Sequence, residues 1–239
     1  MSRINRTGNL IDIIIKMTRY NLKIIFASRF IWFLLGAVAF YTGLTFIYVF
    51  AEDVSRVEDL YGVFIFCGIL LVFYPAVFGI QNDQDARTIE ILFGIPNYRY
   101  KVWLVRILLI FFISFVILLA FTLLSSFLVI KMPVFEVTWH VLFPVFFLGV
   151  MSFMLSTVVK NGNGTAVLMI IFGLFFLILQ EPLETSKWNV FLNPFAVPGS
   201  LSETAWSNIV RDNRVILFIA IIIFLMTGLY NLQKREKFI

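Results

Sequence analysis

Charge is scarce in this chain, and so are the side chains that usually do chemistry. There is one cysteine, Cys67, and one histidine, His140, in 239 residues. A lone cysteine excludes a disulfide within the chain and any cysteine-based metal site. A lone histidine removes most imidazole chemistry. Charged residues make up only 14%, while hydrophobic ones reach 61% and Phe alone occurs 29 times. Soluble domains average about 45–50% apolar residues. With a mean hydropathy of +0.95, the bilayer is the solvent this composition fits. The first 29 residues are too polar for a cleavable signal peptide, and no small-residue cleavage site follows a short apolar core.

What the chain has instead is long apolar runs. A spanning helix needs about 20 mostly apolar residues, and six segments qualify: Phe30–Phe50, Tyr61–Ile80, Leu104–Ile130, Trp139–Val159, Thr165–Gln180 and Arg214–Leu232. Each is continuously apolar rather than alternating, which favours helices over a barrel. The fold class expected is therefore all-α integral membrane, one transmembrane domain over residues 1–239.

Lys and Arg set the orientation. With the N-terminus in the cytoplasm, most of the 19 basic residues fall on that side, in 1–29, 81–106 and 234–237 and at Lys160. The opposite side keeps Arg56, Lys131, Lys187, Arg211 and Arg214, and gains Glu52, Asp53, Glu58 and Asp59. Both termini are expected in the cytoplasm, in a cell (inner) membrane. The net charge of +5 is then a topology signal rather than a nucleic-acid footprint.

Two segments outside the runs are amphipathic. In 9–27, Asp12, Lys16, Arg19 and Lys23 stand at i, i+4, i+7 and i+11, a narrow polar stripe on a wide apolar helix. Such a helix should lie in the membrane interface, at its plainest a surface anchor. In 81–100, Asp83 and Asp85 suit a helix N-terminus, Thr88 can cap a short helix, and Ile89 and Leu92 follow Asp85 at helical spacing. Pro96 ends that element. An apolar face of Ile89, Leu92 and Phe93 outside the bilayer fits either a protein partner or packing on the inner leaflet and neighbouring helices. Segment 181–213 mixes Pro182, Pro194, Pro198 and Gly199 with Trp188, Phe191, Phe195 and Trp206, too short anywhere to span. It reads as an ordinary outer loop or as one or two short helices on the outer leaflet.

No Asp, Glu, Lys or Arg lies in the bodies of the six runs beyond Arg106 and Arg214 at their edges. Proton- and ion-coupled transporters generally place such groups near the midplane. No phosphate loop G-x-x-x-x-G-K-[ST] is present either. Asn161-Gly162-Asn163-Gly164-Thr165 lacks the lysine and reads as a tight turn in which Asn and Gly tolerate positive φ. His140 reads as an interfacial or packing residue. No catalytic, metal or cofactor-binding residues emerge.

The acids Asp83 and Asp85, then Arg87, Thr88-Ile89-Glu90-Ile91-Leu92, Gly94 and Pro96 with a basic cluster behind it, resemble the cytoplasmic loop between spans two and three of the ABC type-2 permeases. Those are the membrane subunits of a class of ATP-driven exporter. The likeness is specific over about 81–106 and weaker over 160–214, where Asn193-Pro194-Phe195 is similar to a step in that family. Ala86 departs from it, since many members carry Gly shortly before Thr-Ile-Glu, and Gly94 replaces the more usual small or polar residue before the Pro. The resemblance implies an elbow helix at 9–27 and re-entrant helices between spans five and six. It also implies a coupling loop in which Asp83, Asp85, Thr88, Ile89, Glu90, Ile91, Leu92 and Pro96 meet an ATPase subunit. The chain would pair with a second permease chain, homo- or heterodimeric. ATP and Mg would be held by the ATPase, and a hydrophobic or amphipathic substrate (lipid, glycolipid, peptide or drug) would be moved. The competing expectation is a membrane scaffold or assembly protein that binds partners without transporting.

Overall fold

The structure, a computed structural model, describes residues 30–50, 56–85 and 99–232, with the backbone alone for Arg99 and Lys101. Within them the protein is all-helical and without strands. The helices are α1 Phe30–Phe50, α2 Val57–Asp85, α3 Val105–Leu128, α4 Val134–Val159, α5 Gly162–Gln180 and α6 Glu203–Asn231. A π-helical turn, Arg99–Leu104, leads into α3. All six helices are long and apolar enough to cross a membrane, which makes the chain a multi-pass membrane protein. The helices alternate in direction. One end of the bundle, called proximal here, holds Asp83, Arg106, Gly162 and Asn231. The distal end holds Val57, Val134 and Glu203.

Each helix follows its apolar run but not always its ends. The sixth begins at Glu203, eleven residues before the expected Arg214, with Ser202 capping it through its side chain to the Ala205 N–H at 3.3 Å. Segment 181–202 is a chain of turns. The short helices expected between spans five and six are therefore absent. Residues 203–213 of that outer segment instead open α6, where Trp206 and Val210 pack on Leu192 and give this otherwise polar stretch a buried face.

α2 and α4 form the centre. In α4, 72% of the most apolar stretch is buried, against 17% in α5. In lipid there is no hydrophobic drive between helices, so close approach depends on small residues. A Cβ on Gly68 of α2 would stand 2.5 Å from Val145 Cγ2 of α4, and one on Gly228 of α6 2.6 Å from Phe153. Hydroxyls in the spans return to backbone carbonyls one turn back, as Ser114 does to Ile110 and Ser152 to Leu148. Others bridge helices: Thr122 and Thr138 lie 2.7 Å apart, and Tyr41 donates to the Phe121 carbonyl at 2.9 Å while its ring stacks on Phe121. Cys67 is buried, facing the Ala37 carbonyl.

Candidate functional site

At the proximal end the polar stretch expected as loop begins later than its composition suggests. α2 runs through Gln81, Asn82, Asp83 and Gln84 to Asp85. Asp83 and Asp85 thus sit in the last turn of a helix, not at the N-terminus of one. An acid there opposes the helix dipole, and Asp83 is compensated from α3: its Oδ2 accepts from Arg106 Nη1 at 2.9 Å, with both side chains buried. The Arg106 guanidinium lies over the Trp103 ring at 4.5 Å. Its Nε and Nη2 are buried and have no hydrogen-bond partner among the described residues. Asp85 is exposed. Thr88, Ile89, Glu90, Ile91, Leu92 and Pro96 lie outside the described residues, as do Lys16, Arg19 and Lys23 of the expected elbow helix. The Asp83–Arg106 pair therefore joins α2 to α3 at the root of the 86–98 segment.

Two more polar ties close this end. Gln81 Oε1 accepts from the Gly162 N–H at 2.6 Å, joining α2 to the start of α5. Asn231 donates to Thr157 Oγ1 at 3.2 Å, joining α6 to α4. The turn between α4 and α5 works differently from the Asn/Gly turn expected. Its positive φ, 60°, falls on Lys160, and no glycine among the described residues has one. Asn161 is extended and caps α5, accepting from the Gly164 N–H at 3.0 Å.

The distal end carries a polar cluster that follows from one proline. Pro144 lies inside α4 and has no N–H for the carbonyl one turn back, that of His140. A freed carbonyl within a membrane helix needs another donor. Tyr61 of α2 supplies it, its hydroxyl reaching the His140 oxygen at 3.2 Å. The same hydroxyl accepts from Arg214 Nη2 at 3.0 Å. Arg214, buried on α6, also donates to the Leu192 carbonyl at 3.0 Å, to Asn213 Oδ1 at 2.9 Å and to His140 Nδ1 at 3.2 Å. Its guanidinium stands 5.6 Å from the Phe143 ring centre.

The turns of 181–202 are fastened to this cluster. Asn213 donates to the carbonyls of Lys187 and Asn189, both at 2.8 Å. Asn193 donates to the Glu58 carbonyl at 2.9 Å, and Trp206 Nε1 to the Pro194 carbonyl at 3.0 Å. Phe195 lies between them, edge-on to both Tyr61 and His140. Segment 189–195 is thereby held as a plug across the distal end of α2, α4 and α6.

Two cavities flank the plug. One, about 440 Å³, runs between α2 and α5, apolar along Ile65, Ile69 and Leu177, with Glu58, Gln180 and Asn193 at its mouth. The other, about 740 Å³, lies between α4 and α6 and reaches His140 and Arg214. Tyr61 lines the first and Arg214 the second, so the bond between them stands in the wall separating the two.

In the sequence alone, Arg214 is only an edge charge and His140 a packing residue. The available signal is Pro144, placed to expose the His140 carbonyl. Among the described residues no group of three or more His, Cys, Asp or Glu side chains could hold a metal ion. The chain matches no protein-family model, no curated protein and no solved structure.

Proposed function

We propose that this chain is the membrane subunit of an ABC exporter of the type-2 kind. It works as a dimer, is powered by ATP and Mg held in a separate ATPase subunit, and moves a hydrophobic or amphipathic substrate. The observation that carries this reading is the root of the 86–98 segment. That segment bears the Thr88-Ile89-Glu90 step, and the chain on either side of it is tied by the buried Asp83–Arg106 pair. A push on the segment would reach α2, one of the two central helices, without being absorbed in a slack connection. A bistable packed element biased from one site in this way is how a local event becomes a global one.

Energy from outside the chain also fits the placement of charge. The charged residues buried in the described bundle are Asp83, Arg106 and Arg214, all near its ends. A proton-coupled carrier would call for a titrating group near the midplane. α1 and α5 expose large side chains such as Trp32, Phe46, Phe175 and Ile178. These faces suit lipid or a second permease chain.

Glu90 is the acid in the apolar part of the segment and the test residue. Losing one partner of a desolvated charged hydrogen bond at an interface costs about 2–5 kcal/mol, whereas a surface carboxylate that touches nothing is worth within about 0.5 kcal/mol. Glu90→Ala should leave the protein folded and inserted but weaken capture of the ATPase or cut substrate-stimulated ATP hydrolysis. Glu236→Ala is the matched control and should do neither. If the two variants are both indistinguishable from wild type in co-purification and hydrolysis, Glu90 makes no such contact and the scaffold reading gains.

A further inference from the structure

We propose that the cavity between α4 and α6 binds one phospholipid with a zwitterionic amine headgroup, its phosphate on Arg214 and His140 and its ammonium toward Glu136 and Glu203. This is independent of the exporter reading, since a scaffold could hold such a lipid equally well.

The first support is the state of Arg214. It is buried, and a guanidinium keeps its charge. Its four hydrogen-bond partners are a phenol, an amide oxygen, a carbonyl and an imidazole nitrogen. All are neutral: His140 Nδ1 accepts, so its proton is on Nε2. No carboxylate among the described residues forms an ion pair with Arg214; the arginines paired with acids there are Arg56, Arg106 and Arg211. A buried charge is normally paired with an opposite one. Here the cation lines a cavity large enough to bring one in.

The remaining donors point to an oxyanion. Four of the five guanidinium N–H groups are used within the protein, which leaves one on Nη1. His140 Nε2–H likewise has no partner among the described residues. Both residues line the same cavity. Charge-assisted bonds from Arg to phosphate are among the stronger polar contacts available.

The walls sort by depth as a lipid does. On α4 the lining residues Glu136, Trp139, His140 and Phe143 repeat at i, i+3, i+4 and i+7, a single helix face. On α6, Glu203, Trp206, Ser207 and Val210 do the same, and Arg211, Arg214 and Phe218 continue the lining deeper. Along each face an exposed acid comes first, then aromatic and cationic groups, then Phe. From Val215 to Tyr230 α6 is almost wholly apolar, about 24 Å at 1.5 Å per residue. Arg214 therefore stands at the edge of the hydrocarbon layer, where headgroups lie, and Phe143 and Phe218 stand a turn deeper, beside acyl chains. Arg211 also lines the cavity but is exposed and paired with Asp212 at 3.4 Å, so the two rim acids still disfavour a headgroup that is purely anionic. They complement one that carries an ammonium beyond its phosphate. Trp139 and Trp206 line the same cavity, and an indole ring attracts a cation placed over it.

Titration of the purified full chain in detergent, read by native mass spectrometry, tests this. The probes are phosphatidylethanolamine, phosphatidylglycerol (phosphate, no amine), diacylglycerol (neither) and inorganic phosphate. One phosphatidylethanolamine should bind saturably per chain, about tenfold tighter than diacylglycerol, the scale of one charge-assisted contact, and tighter than phosphatidylglycerol. Inorganic phosphate should not compete at equal concentration. Arg214 also braces the plug, so its replacement could unfold the site. Ser207→Trp is the better variant: Ser207 is exposed, and its replacement fills the cavity while leaving the Arg214 bonds in place. It should lower phosphatidylethanolamine affinity about tenfold. Glu136→Gln with Glu203→Gln should erase the preference over phosphatidylglycerol while keeping the preference over diacylglycerol. The proposal is overturned if diacylglycerol or phosphatidylglycerol binds wild type as tightly as phosphatidylethanolamine. Unchanged binding in Ser207→Trp, or displacement by inorganic phosphate, would overturn it equally.

Discussion

The two ends of the bundle each bury an arginine, and they treat it oppositely. At the proximal end Arg106 meets a buried carboxylate, Asp83, and leans on Trp103. At the distal end Arg214 is bonded to neutral groups alone, beside a cavity. A charge neutralised by a carboxylate on the neighbouring helix can act as a joint between the two. An unneutralised one keeps its field, and the space next to it becomes a place for an anion. In the exporter and lipid proposals, the proximal pair transmits and the distal arginine receives.

The largest effect that could break this comparison is at the joint. Asp83→Ala leaves Arg106 buried and unpaired, and breaking a buried pair in this way costs about 3–5 kcal/mol. We expect a large fall in the unfolding midpoint in mild detergent. Asp83→Leu with Arg106→Leu removes both charges and should recover much of the loss, because a buried pair can often be replaced by apolar residues at little cost. If Asp83→Ala alone is as stable as wild type, water already solvates Arg106 and the two ends do not differ as described.

A smaller effect sharpens the distal half. Tyr61→Phe removes both the donor to the His140 carbonyl and an acceptor for Arg214, and should cost about 1.5–3 kcal/mol. In a Pro144→Ala background the new alanine can supply the missing N–H within α4, so the same substitution should cost less. The cycle should give a coupling of at least about 0.5 kcal/mol, the scale for residues in one hydrogen-bond network. Strict additivity in equilibrium unfolding would mean that the proline does not create the need that Tyr61 fills.

The six spans were legible because each is a continuous apolar run near the length a bilayer sets, and no partner elsewhere in the chain is needed to make it helical. What was not legible depends on contacts distant in sequence. Gln81–Asp85 looks like loop by composition, and its helical end is secured by an arginine 23 residues further on. The first three turns of α6 are polar by composition, and their buried face exists only because Leu192 lies against Trp206 and Val210. The distal cluster joins Tyr61 to Arg214 across 153 residues, a separation no local pattern reveals. Its turns carry no helices because Asn189 and Asn193 close them locally, each side chain accepting from the backbone N–H two residues on.

The central claim is that segment 86–98 docks on an ATPase, and its contacts can be read directly. A photo-activated cross-linking residue placed at Leu92 in the full chain, irradiated in native membranes, would capture whatever that apolar position touches, and the captured peptides would be sequenced. The account predicts a peptide from a soluble subunit that itself carries a phosphate-binding loop, with capture reduced by Glu90→Ala and unaffected by Glu236→Ala. Cross-links confined to lipid, to other parts of this chain, or to a protein without a nucleotide site would contradict it.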